Sequence, residues 1–99
     1  MKLIEKNIQE IAALCKRHKV SQLFVFGSIL TRRFNDDSDV DFTVSFNKTE
    51  VGDYFDNYFD FKYSLENLLG REVDWLEEQA IRNPYLRRNV DATKVLIYG

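Results

Sequence analysis

Asp39 and Asp41 stand two residues apart in a segment, 39–46, that alternates strictly between polar and apolar side chains. Val40, Phe42, Val44 and Phe46 share one face, and Asp39, Asp41, Thr43 and Ser45 share the other. That spacing predicts a half-buried strand. Both carboxylates then leave the same face, roughly 7 Å apart at the backbone. A third acid, Asp74, lies in a short stretch, Glu72 to Leu76, that reads as another strand, with Val73 and Trp75 on one side and Asp74 on the other. If the two strands are close in the sheet, three carboxylates converge. Carboxylates so placed repel one another and raise each other's pKa unless a cation joins them. Magnesium suits such a set, because it prefers hard oxygen ligands and combines a few carboxylates with substrate phosphates. Two such ions about 4 Å apart can stabilise the attacking and leaving oxygens of a phosphoryl displacement.

An Asp-x-Asp on a polar strand face is also what ordinary solvated surface looks like. Gly27-Ser28 adds a second element. Gly27 ends the apolar run Leu23 to Phe26, at a point where the backbone can turn sharply and approach a ligand. Ser28 opens a short helical turn, 28–32, whose backbone N–H groups and hydroxyl suit a phosphate. There is no P-loop lysine pattern and no G-x-G-x-x-G, so those two phosphate-binding solutions are excluded.

The elements that must position these residues follow from periodicity. Residues 3–18 carry Ile4, Ile8, Ile11 and Cys15 at helical spacing. Leu23 to Phe26 reads as a buried strand, and a connection of about a dozen residues, 27–38, links it to 39–46. Residues 53–69 return to a helical period through Tyr54, Tyr58, Phe61, Leu65 and Leu68, broadened by Phe55 and Leu69, with Gly70 as the cap. Asn83-Pro84 is an N-cap followed by proline at the first helical position, starting a short helix to about Asp91. Lys94 to Tyr98 closes the chain as a strand. The expected fold class is α+β: a mixed sheet of about four strands with helices packed against it.

Composition bounds the rest. The 99 residues fit a single domain, 1–99, and 44% are hydrophobic, with eight Phe and five Tyr. The formal net charge of −2 gives no broad basic surface for nucleic acid. The lone Cys15 cannot build a disulfide framework, and no 18-residue apolar run or signal peptide is present, so a cytoplasmic location with no membrane association is expected. Cys15 sits on the helix stripe and reads as core. His18 ends the first helix, where a dipole interaction suffices. Asp36 and Asp37 read as turn formers. Arg32 and Arg33 either reach phosphate or an acidic partner, or are solvated loop charges. Arg87 and Arg88 read as surface charges, or as part of a partner contact shared with an aromatic patch. The aromatics Tyr54, Phe55, Tyr58, Phe59, Phe61 and Tyr63 either complete a wide core face or form an exposed patch that implies a protein partner.

Gly27-Ser28, ten residues, then Asp39-Val40-Asp41, in full FGSILTRRFNDDSDVDFTV from Phe26 to Val44, resembles the signature of the polymerase-beta-like nucleotidyltransferase superfamily. The chain resembles its minimal members, small prokaryotic proteins often encoded beside a HEPN-domain partner. LLGREVDWL, Leu68 to Leu76, resembles the family's third-carboxylate strand, and Asn83-Pro84-Tyr85 and the closing VLIYG resemble its C-terminal part. The resemblance implies that Gly27 and Ser28 hold the triphosphate of the incoming nucleotide. It implies that Asp39 and Asp41 ligate two magnesium ions, and that Asp74 binds the catalytic one and helps deprotonate the acceptor hydroxyl. It makes ATP the expected substrate and AMP the transferred group. Many minimal relatives carry small residues after Gly-Ser, whereas here the segment is Ile29-Leu30-Thr31-Arg32-Arg33.

Two functions compete. The first is a transferase that adenylylates a protein, as antitoxin of a HEPN-type toxin, in a homo- or hetero-oligomer. The second is a catalytically silent module that neutralises its partner by contact alone. Transfer to an antibiotic or to RNA is disfavoured, since nothing resembles a drug-binding domain and the charge does not favour RNA.

Overall fold

The computed structural model describes residues 1–47 and 52–99. Four strands form one sheet in the order β3-β2-β1-β4. They are β1 (Val20–Phe26), β2 (Val40–Phe46), β3 (Val73–Glu77) and β4 (Val95–Tyr98). β1 is antiparallel to both β2 and β4, whereas β2 and β3 run parallel. The helices are α1 (Lys2–Lys6), α2 (Ile8–Arg17), α3 (Tyr54–Leu69) and α4 (Pro84–Thr93). The mixed sheet and its helices give the α+β class expected from the pattern.

The alternating strand of the sequence is β2, and its apolar face carries the core. Val40, Phe42 and Val44 are fully buried, and in register Val44 meets Leu23, Phe42 meets Val25 and Trp75, and Val40 meets Val73. Ile11 and Cys15 of α2 and Phe61, Leu65 and Leu69 of α3 belong to the same cluster. Burial pushes the Cys15 thiol up to about 12, so it packs as an inert hydrophobe. Phe46, Tyr54, Tyr58, Phe61 and Trp75 form a web of ring contacts with centroids 4.8 to 6.4 Å apart.

Local caps set the element ends. Asp53 accepts from the backbone N–H of Asp56, and Gly70 adopts φ 65° at the other end of α3. Asn83 accepts from the N–H groups of Tyr85 and Leu86 ahead of Pro84.

Several boundaries differ from the sequence pattern. The single helix expected over 3–18 is broken at Asn7, whose side-chain amide donates to the Leu3 carbonyl at 2.9 Å and competes with the helix ladder. β1 begins at Val20, three residues before the apolar run, because pairing with Phe46 recruits it. A one-turn 3₁₀ helix, Glu78–Ala80, follows β3 without a sequence signal. The face of β2 read as polar is not wholly solvated, since Thr43 is completely buried. Phe55, expected to broaden the apolar stripe of α3, is 69% exposed.

His18 caps α2 and is buried. Its Nδ1 lies 2.8 Å from the Leu14 carbonyl and its Nε2 2.8 Å from Asp60 of α3, beside the Phe61 ring. Those contacts tie two helices together, a structural role. No helix among the described residues is long and apolar enough to cross a membrane.

Candidate active site

Parallel pairing of β2 with β3 puts Asp41 directly opposite Asp74 in register. Backbones of paired strands run about 4.8 Å apart, so these two carboxylates leave neighbouring positions on the same face. On the other side of β2, Asp41 is in register with Phe26, the last residue of β1. Gly27 follows it and turns away from the sheet. The sheet order thus flanks Asp41 with Asp74 on one side and the Gly27-Ser28 turn on the other. Asp39, one residue ahead of β2, is exposed, as is Asp74, whereas Asp41 is partly recessed.

Electrostatics record the convergence. The Asp41 carboxyl is raised above its ordinary value, first by desolvation, then by the charges of Asp74 and Asp39. A small cleft of about 230 Å³ opens here, lined by Phe26, Asp41, Asp74, Trp75 and Leu76. Among the described residues, no group of three His, Cys, Asp or Glu side chains is gathered closely enough to hold a metal ion by itself. The three aspartates therefore interact through charge without closing into a cage.

The turn is built around the glycine. Gly27 has φ +80°, and a Cβ there would stand 2.3 Å from Asp41 Oδ2. The absent side chain leaves room for the carboxylate. Gly27–Leu30 forms a 3₁₀ turn, and the Ser28 carbonyl accepts from both the backbone N–H (2.9 Å) and the hydroxyl (2.8 Å) of Thr31. The bulky residues after Gly-Ser find a use in packing: Ile29 is buried in the core and Leu30 packs against it. Arg32 and Arg33 are exposed. Gly27→Ala is expected to cost about 1–2 kcal/mol from the left-handed backbone alone and to push the Asp41 carboxylate aside. Thermal denaturation checks the first effect and nucleotide-binding affinity the second; wild-type values for both contradict it.

Arg71 is a residue the sequence reading passed over. Its Nη1 donates to the carbonyls of Asn35 (2.6 Å) and Ser38 (3.0 Å), and its guanidinium lies 4.3 Å from the Phe34 ring centroid. It pins the end of the connecting loop just before Asp39, three residues ahead of Asp74. No periodicity marks such a residue; only a cation close to an acid strand hints at it. Asp37 lies in a turn as expected, its backbone N–H donating to the Asn35 side-chain oxygen. Below the site, Glu78 accepts from Arg87 (3.0 Å) and Lys94 (3.2 Å), and Asp91 joins both cations. Arg87, read as a surface charge or partner contact, thus fixes α4 to the turn after β3.

The fold and this arrangement define a nucleotidyltransferase-type domain. A family model for polymerase beta, nucleotidyltransferase, matches residues 9–99, and the chain belongs to that family. It is a nucleotidyltransferase of the minimal kind, as its signature implied. It is 30% identical over 100 residues to "Putative protein adenylyltransferase MJ0128" of Methanocaldococcus jannaschii, spanning 93% of this chain and 99% of that protein. A solved structure described as "putative minimal nucleotidyltransferase" superimposes with a TM-score of 0.76 at 29% identity, over 95% of this chain and 92% of the other. The MNT antitoxin complex with a tri-AMPylated HEPN toxin of Shewanella oneidensis shares the fold, with a TM-score of 0.65 at 18% identity, over 96% of this chain and 71% of that one.

Proposed function

We propose that this domain transfers AMP from ATP to a hydroxyl of a partner protein, and that Asp39, Asp41, Asp74, Gly27 and Ser28 form its working site. The observation that carries this reading is the register pairing of Asp41 with Asp74, beside a glycine turn whose missing Cβ clears Asp41. The donor set fits magnesium: hard carboxylates whose mutual repulsion a cation relieves, too few and too spread to complete its shell without water and phosphate oxygens. Asp39 and Asp41 would hold two ions and Asp74 the catalytic one; when bound, the ions neutralise charge on the reacting phosphate oxygens.

The chain's own residues do the positioning. Gly27 lets the backbone approach the triphosphate, and the Ser28 hydroxyl and turn N–H groups orient it. Asp74, exposed at the edge strand, accepts the proton of the incoming hydroxyl. A new bond forms from that oxygen to the α-phosphorus as the bond to the β-phosphate bridging oxygen breaks, and pyrophosphate leaves with the electron pair. The adenylyltransferase name of the M. jannaschii relative and the AMPylated HEPN toxin held by a protein of the same fold support AMP as the cargo and a HEPN-domain protein as acceptor.

Incubating the chain with ATP labelled on the α-phosphate, magnesium and the product of the adjacent gene tests this. Label on the partner is expected. Neutralisation of the partner without label, surviving Asp41→Asn, points instead to a silent binding module.

A further inference from the structure

A second cavity, about 450 Å³, lies along the free edge of β3, lined by Tyr54, Phe55, Tyr58, Phe59, Trp75 and Leu76, with Glu77 and Ala80 at its rim. Its walls are almost wholly apolar. Phe55, which touches Phe59 with centroids 4.8 Å apart, is 69% exposed at its mouth, although burial of Phe is the rule. Two polar groups line the interior. The Trp75 indole N–H is buried without a hydrogen-bond partner among the described residues, its ring against that of Tyr58 with centroids 4.8 Å apart. The Tyr54 hydroxyl donates to Glu77, which fixes that wall.

Trp75 and Leu76 line both this cavity and the cleft of Asp41 and Asp74. The two spaces lie on opposite faces of the same edge strand: Trp75 packs on the α3 rings, and Asp74 points the other way. Successive side chains of an extended peptide also point to opposite sides. A segment crossing the edge of β3 can therefore set a hydroxyl at the carboxylates and its neighbour's side chain in the aromatic cavity. The sheet order favours that approach. The Gly27-Ser28 turn follows the end of β1, on the side of Asp41 away from β3, so with the triphosphate held there an in-line acceptor would enter from the β3 side.

We infer that this cavity is a specificity subsite, taking a large apolar side chain directly adjacent in sequence to the hydroxyl residue of a polypeptide acceptor. The inference rests on the transferase reading for the role of the carboxylates, but the cavity's binding can be measured without any transfer.

Trp75 is the sole tryptophan, so its emission reports occupancy. The probe is the blocked tripeptide N-acetyl-Phe-Ser-Phe-amide, titrated against the intact chain, with N-acetyl-Ala-Ser-Ala-amide as control. A saturable emission change is expected with the first and none with the second. Phe55→Ala, which removes an exposed ring and leaves the core alone, is expected to weaken binding about five- to tenfold. Ala80→Phe, which fills the cavity from its rim, is expected to abolish it. No saturable change, equal response to both peptides, or full affinity in Phe55→Ala overturns the inference. Magnesium-ATP affinity, measured in parallel, separates the two ideas. Peptide failure with intact nucleotide binding removes the subsite alone, and loss of nucleotide binding with intact peptide binding removes the transferase reading alone.

Discussion

Asp41→Asn is expected to lower AMP transfer by on the order of 10³-fold while making the metal-free protein more stable at neutral pH. The two effects have one cause. Asp41 is half-buried between Asp74 and Asp39, and its carboxyl is raised above its ordinary 3.8. An acid whose folded pKa is raised binds its proton more tightly in the folded state, so ionising it opposes folding. At pH below 3.8 the carboxyl is protonated in both states and costs nothing. As pH climbs from there through the raised folded value, the unfolded chain ionises first, stability falls, and the full cost persists at pH 7. The amide cannot ionise. Wild type and variant should therefore converge in acid and separate as pH rises, the variant melting higher. Magnesium with ATP should reverse the order by stabilising only the wild type. Melting curves from pH 3 to 8, with and without magnesium-ATP, check this. A variant less stable than wild type at pH 7 without metal contradicts it.

Phe61→Ala should be the most damaging change to the fold. Phe61 is fully buried, and its ring meets His18, Phe46 and Trp75 at 5.3, 6.0 and 5.2 Å. Truncating such a ring costs about 3–5 kcal/mol, against a total of roughly 5–15 kcal/mol for a domain of this size. At about 4–8 °C per kcal/mol for a small domain, Tm should fall by at least ~12 °C. Phe55→Ala, six residues away on the exposed side of the same helix, should move Tm by no more than a few degrees. Circular dichroism melts of the two variants side by side test the contrast. Similar losses for both contradict it.

These paired phenylalanines also show what the sequence could and could not reveal. The helical period marked α3 and its C-cap, Gly70, because an apolar stripe and a left-handed terminus leave local marks, whereas the Asp53 N-cap was not read from the sequence. It put Phe55 on the stripe, since spacing alone cannot say where the sheet edge stops covering the helix. The alternation in 39–46 revealed β2 and the shared face of Asp39 and Asp41, while the pairing of Asp41 with Asp74 is a register between distant strands that no local pattern encodes. Asn7 broke a helix that periodicity ran straight through. Lys19, at φ 61° between α2 and β1, ends a helix in a conformation usually given to glycine, so the start of β1 went unmarked. The connections made by Arg71 to the loop before β2, and by Glu78 to Arg87 and Lys94, join separate elements and became visible only in three dimensions.

The most direct measurement is a crystal of the chain grown with manganese and a non-hydrolysable ATP analogue, with anomalous scattering used to locate the metal. Manganese peaks among the carboxylates of residues 39, 41 and 74, and phosphate oxygens against the turn at residues 27 and 28, are expected. Nucleotide bound elsewhere, or metal with no aspartate from this trio in its shell, would contradict a carboxylate site for nucleotidyl transfer.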